Sequence, residues 1–109
     1  NQFVSEEHDV LVKVLRVLDR AEVFCREHRD EAVAIVAGKL TDAGQLGQVL
    51  ADITLEIALS HALVVALEDE ARWAIDNGFT MKKEAPDFQK LISTDALRAV
   101  KPAAVTVIE

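Results

Sequence analysis

Tyrosine is absent from these 109 residues, and tryptophan, cysteine and methionine occur once each. The aromatic set is Phe3, Phe24, Phe79, Phe88 and Trp73, so any core must be aliphatic, built from Ala, Val, Leu and Ile. A lone Cys25 excludes an internal disulfide, and cysteine usage alone does not assign a compartment. Proline occurs twice and glycine four times, and no low-complexity linker or internal repeat is visible. Basic residues are scattered, with Lys82–Lys83 their only adjacent pair, and the formal charge is −7. No stripe could track a phosphate backbone, which speaks against nucleic acid and anionic membrane surfaces as partners. No apolar run approaches the ~20 residues of a membrane span. The opening NQFVSEEHDV has neither the basic nor the apolar region of a signal peptide, which does not exclude an exported precursor.

What is present is ordinary globular composition, half apolar and 28% charged. A compact fold of this length buries roughly 60–70% of its unfolded surface, so one domain is expected. The first strong element spans about Glu6 to His28. At about 100° per residue, Val10, Leu11, Val14, Leu15, Val17, Leu18, Ala21, Phe24 and Cys25 fill half its circumference. So wide an arc predicts packing on at least two neighbours. Ser5 is placed to cap this helix, with Glu6 and Glu7 favourable to its dipole.

A short join, EHRD, leads to a second helix over DEAVAIVAGKL, with Val33, Ile35, Val36 and Leu40 apolar. TDAGQLGQVLAD reads as a weaker third helix, capped by Thr41 or Asp42, in which Gly44 and Gly47 each cost about 1 kcal/mol. Ile53, Leu55, Ile57 and Leu59 then alternate with polar or small residues, the period of an extended segment. Ser60 should cap HALVVALEDEARWAIDN, whose buried stripe is Leu63, Val64, Leu67, Ala71, Ala74 and Ile75; Gly78 supplies its left-handed stop. DFQKLI and TDALRAV read as short helical turns, the second capped by Thr94 and stopped before Pro102. The expected fold is all-α: about five helices plus a short extended segment, one domain over residues 1–109.

Chemistry-bearing clusters have plain structural readings. Cys25 and His28 are spaced to face one metal, but structural zinc takes about four ligands and no second pair exists. Cys25 falls within the apolar arc as a buried thiol, and His28 suits a helix end. His8 with Glu6, Glu7 and Asp9 is an acidic first turn. His61 shares a polar face with Glu68, Arg72 and Asp76, where Glu68–Arg72 is an i,i+4 pair. Glu68, Asp69 and Glu70 point apart rather than converging. Nucleophile elbows, phosphate-cradling glycine loops and paired CxxC motifs are lacking. No catalytic, cofactor-binding or metal residue is therefore assigned. Trp73, off the main stripe beside Ala62 and Ala66, is either a core anchor against a second neighbour or a contact with protein outside this chain. The closing AVTVI raises the same alternatives.

KVLRVLDRAEVFCREHRDEAVAIVAGKL and ARWAIDNGF…PDFQKLISTDALRAVKPAAVTVI together resemble the C-terminal part of substrate-binding proteins of the nitrate, sulfonate and taurine ABC-transporter family, which includes binders of thiamine-pyrimidine precursors. The carriers are the turn His28–Ala32, the Trp73–Gly78 helix end and Asp95–Ala96–Leu97 through Pro102 to Val105–Thr106–Val107. Arg29 stands where that family usually has proline, and Lys101 where it is commonly acidic. The resemblance implies the C-terminal part of a type II, periplasmic-binding-protein-like α/β fold with two lobes. It also implies an extracytoplasmic location, a small and often anionic solute, and a permease as partner. Substrate-gripping residues would lie in earlier sequence, so no ligand contact is assigned. The chain should then self-associate when handled alone, with Asn1–Val4 and the tail lying against further polypeptide. A self-contained helical interaction module is the alternative, and a thiamine-pyrimidine synthase-like enzyme a third reading for which no catalytic group is found.

Overall fold

The computed structural model describes residues 2–40 and 44–108. Among the described residues there are seven α-helices, one 3-10 turn and two short strands, so the chain is predominantly helical, as expected. The expected caps Thr41 and Asp42 lie outside the described residues.

The first helical stretch starts earlier than expected and is divided: α1 spans Gln2–Glu6 and α2 spans His8–Glu27. Nothing in Gln2, Phe3 or Val4 breaks a helix. Ser5 accordingly sits inside α1, where its hydroxyl donates to the Gln2 carbonyl at 2.9 Å instead of capping α2. His28 alone separates α2 from α3, Arg29–Ala37. Its N–H donates to the Phe24 carbonyl and its own carbonyl accepts from Ala32, so hydrogen bonding continues through the join. α4 is a short helix, Leu46–Ala51.

By internal packing the chain divides into two units, residues 1–12 with 58–109 and residues 13–57, and α2 runs through both. In the unit of residues 13–57, α3 packs on α4 and Ala32 is buried. The alternating stretch expected to be extended from Ile53 forms no ladder before Leu59, and Ile53 and Leu55 are exposed. It is held by one long-range bond instead: the Ile57 N–H donates to Glu22 Oε2 at 2.8 Å.

The other unit is a small strand–helix–strand arrangement. Strand β1, Leu59–Ser60, leads into α5, His61–Asp76; α6, Phe88–Leu91, and α7, Asp95–Val100, follow. Strand β2, Val105–Thr106, then pairs parallel to β1, Leu59 opposite Val105 and Ser60 opposite Thr106. A parallel pair requires such a long crossover. The apolar tail thus finds a partner within the chain, and Val105 is buried.

The caps of α5 are the expected ones. Ser60 Oγ accepts from the Leu63 N–H at 3.3 Å, and at the other end Gly78, at φ 73°, turns the chain so that its N–H reaches the Ile75 carbonyl while Phe79 reaches Ala74. This is a Schellman closure. Asp87 caps α6 through the Lys90 N–H, whereas Thr94, at the cap position of α7, makes no side-chain cap bond. α7 ends at Val100, and Pro102 opens a 3-10 turn ending at Ala104.

Among the described residues the buried apolar set is short: Val12, Ala32, Val64, Ala96, Leu97, Ala104 and Val105. The expected stripe of α5 is buried at Val64, half-buried at Leu67, Ala71, Ala74 and Ile75, and exposed at Leu63. On α2 the covered residues coincide with the expected apolar arc at Leu11, Leu15, Phe24 and Cys25, and depart from it at Val12, Asp19, Glu22 and Val23. Val10, Val14, Val17 and Leu18 are left 42–64% exposed on one side of that helix.

Candidate functional site

A groove of about 580 Å³ opens within the unit of residues 13–57. One wall comes from α2 through Glu22 and Cys25, another from α3 through Val33 and Val36, and the segment Ile53–Glu56 closes a third side. Half of its lining residues are aliphatic, and Glu22, Arg26, Arg29 and Glu56 bring charge to it. Glu22 lies at its edge with its side chain only 8% exposed, 3.5 Å from the Arg26 guanidinium and accepting from Ile57. These two partners occupy the carboxylate structurally: the salt bridge offsets its charge and the backbone N–H takes a lone pair. Glu22 was not singled out in the sequence, where its one legible signal is an i,i+4 pairing with Arg26.

Cys25 is only half-buried and lines this groove, short of the burial expected of a thiol on the apolar arc. His28 does not join it in a ligand set; its ring stacks on Phe24, centroids 5.1 Å apart. Among the described residues no group of three or more His, Cys, Asp or Glu side chains is placed to hold a metal ion. His8, Glu7 and Asp9 are exposed at the start of α2, and Glu6 accepts from Gln2 Nε2 at 3.0 Å.

The polar face of α5 holds more than solvated charge. Arg72 pairs with Glu68 at 3.5 Å and Asp69 at 3.4 Å, as helical spacing allows. His61, expected on the same solvated face, instead turns to the tail: its Nδ1 accepts from the Ile108 N–H at 3.5 Å, while Gln89 Nε2 donates to the Ile108 carbonyl at 3.0 Å. Both peptide groups of Ile108 are thereby satisfied by side chains just beyond the two-residue ladder. No sequence signal links three positions so far apart.

Trp73 is not a core anchor here. It is 60% exposed and stacks on Phe79, which is 73% exposed, with centroids 5.1 Å apart and planes 19° from parallel. Below it in sequence, Lys82–Pro86 line a second, shallow hollow. Asp87 and Lys90 form an exposed pair at 2.8 Å; the hydrogen bond from Lys90 holds the Asp87 carboxyl below its ordinary range, and Asp87 raises the Lys90 ammonium.

The arrangement offers a partly apolar groove, an exposed aromatic pair and a two-stranded parallel pair as surfaces for contact. No protein-family model matches the chain, and neither a curated protein nor a solved structure shows significant similarity to it.

Proposed function

We propose that this chain is the C-terminal segment of an extracytoplasmic solute-binding protein serving ABC-type import of a small, often anionic solute, in the nitrate, sulfonate, taurine or pyrimidine-precursor class. Its work is structural: it buttresses a lobe and its hinge while residues elsewhere in the parent hold the solute. The parent passes that solute to a membrane permease, and closure is a population shift driven by solute contacts made across two lobes.

The observation that supports this reading is the β1–β2 pair. Parallel strands are found almost always inside larger sheets covered on both faces, and a two-stranded sheet alone is marginal. Two parallel strands of two residues each, in a mostly helical chain, fit the margin of a larger α/β sheet of the type II kind. The exposed side of α2 agrees, since contiguous apolar surface beyond a few hundred Å² ordinarily meets a partner. The family in this proposal is the one that the motifs from His28 to Val107 resemble.

The decisive experiment uses a longer protein that contains this chain, read from the coding sequence upstream of Asn1. That sequence should hold an export signal followed by alternating strands and helices. Thermal shift of that protein against nitrate, alkylsulfonates, taurine and pyrimidines should then raise the melting temperature with one class. A start codon immediately upstream of Asn1, or a longer protein that no such solute stabilises, would overturn the reading in favour of a helical interaction module.

A further inference from the structure

The aromatic pair at the end of α5 is placed by local bonds yet left in solvent. Two backbone constraints and one side-chain bond place it: the Gly78 turn, the Phe79 N–H bonded to the Ala74 carbonyl at 2.9 Å, and the Asn77 side chain donating to the Trp73 carbonyl at 2.8 Å. Stacking covers one face of each ring, and the high exposure of both leaves their outer surfaces open. Glu70 and Asp76 stand three residues before and after Trp73, on the same side of the helix. Both are exposed, and neither has a partner among the described residues. Arg72, the cation between them, is committed to Glu68 and Asp69.

We propose that Trp73, Phe79, Glu70 and Asp76 form a docking surface for an arginine-bearing segment of a partner protein. The chemistry favours that occupant over others. A guanidinium is planar and weakly hydrated, so it stacks on an indole face while pairing with carboxylates at the ring's edge. An ammonium supplies the charge without the plane, and a carboxylate would meet two like charges. Trp and Arg are the residue types that most often anchor interfaces. The net charge of −7 draws a basic partner towards the chain. Lys82 and Lys83 follow Phe79 in the next loop, which makes the response to acidic ligands a necessary control. The proposal does not rest on the solute-receptor reading.

Trp73 is the sole tryptophan, so its fluorescence reports on the surface directly. The chain is titrated with short capped peptides in which glycine alternates with arginine, lysine or glutamate. The arginine peptide should change Trp73 emission saturably and bind about threefold more tightly than the lysine peptide. The double variant E70Q/D76N should weaken arginine-peptide binding by about threefold or more. The control E27Q/D30N, which removes the same charge from exposed positions elsewhere, should leave it unchanged. Absence of a saturable response, equal weakening by both double variants, or binding of the glutamate peptide would each overturn the proposal.

Discussion

Glu22 and Ile57 are 35 residues apart in sequence and joined by a 2.8 Å hydrogen bond from the Ile57 backbone to the Glu22 carboxylate. That bond pins an otherwise irregular segment to α2. Removing the acceptor in Glu22→Ala strands a partly buried N–H and frees Arg26, which should cost about 1–3 kcal/mol. Glu22→Gln keeps an oxygen acceptor but loses the charge facing Arg26, so it should cost less. Urea unfolding, with amide exchange at Ile57 as the local readout, should rank the three proteins in that order. Equal protection of Ile57 in all three would show that the bond holds nothing.

Two residues in cap positions should respond differently to the same substitution. Ser60 accepts a hydrogen bond from Leu63 at the head of α5, so Ser60→Ala should destabilise by about 1 kcal/mol. Thr94 occupies the cap position of α7 without such a bond, and Thr94→Ala should be near neutral. Thermal melts of the two single variants make the comparison.

Gly78 isolates a backbone effect. An added Cβ would meet nothing within 4 Å, yet φ is 73°, so the cost of Gly78→Ala is conformational rather than steric crowding by neighbours. About 1–2 kcal/mol is expected from the left-handed region, and Gly78→Asn should be milder. Because the same turn places Phe79 on Trp73, the alanine variant should also shift tryptophan emission. An unchanged spectrum would detach the turn from the stack.

The Asp87–Lys90 pair sets a pH expectation whose sign follows from the two shifts. Asp87 titrates below its ordinary 3.8 in the folded chain, so its contribution is present above the unfolded value and lost as pH falls through the folded one. Lys90 is raised above its ordinary 10.5, so its contribution is present below that value and lost as pH rises through the folded one. Between those limits the pair is insensitive to pH. In Lys90→Met, the Asp87 carboxyl resonance should titrate at higher pH than in the parent chain. An unshifted titration would mean that the 2.8 Å contact is not maintained in solution.

Local signals were legible and distant ones were not. Ser60, Gly78 and Pro102 act within a few residues of themselves, and each end of α5 lies where Ser60 and Gly78 place it; Asp87 caps α6 without being expected to, and Thr94, the expected cap of α7, makes no cap bond. Hydrophobic periodicity found α2 but only part of its covered side, Leu11, Leu15, Phe24 and Cys25, because which arc is buried depends on neighbours that periodicity does not name. The same limit hid the Glu22–Ile57 bond, the pairing of Val105 with Leu59, and the hold of His61 on Ile108. Trp73, which spacing left open between a core anchor and an outward contact, stacks in solvent because Gly78 folds Phe79 back onto it.

The uncovered side of α2 carries the last expectation. Val10, Val14, Val17 and Leu18 follow helical spacing over about two turns, and each is more than two-fifths exposed. Burying apolar surface is worth about 25 cal/mol per Å², so such a stripe gains by meeting another. Handled alone, the chain should therefore sediment as a dimer or larger assembly at micromolar concentration. Val14→Gln with Leu18→Gln interrupts the stripe without touching the protected side at Leu11, Val12 and Leu15, and should shift the chain to monomer while its helical circular dichroism persists. If the unsubstituted chain already gives a sharp monomer mass, α2 does not need a partner, and the case for covering polypeptide loses its support from this helix.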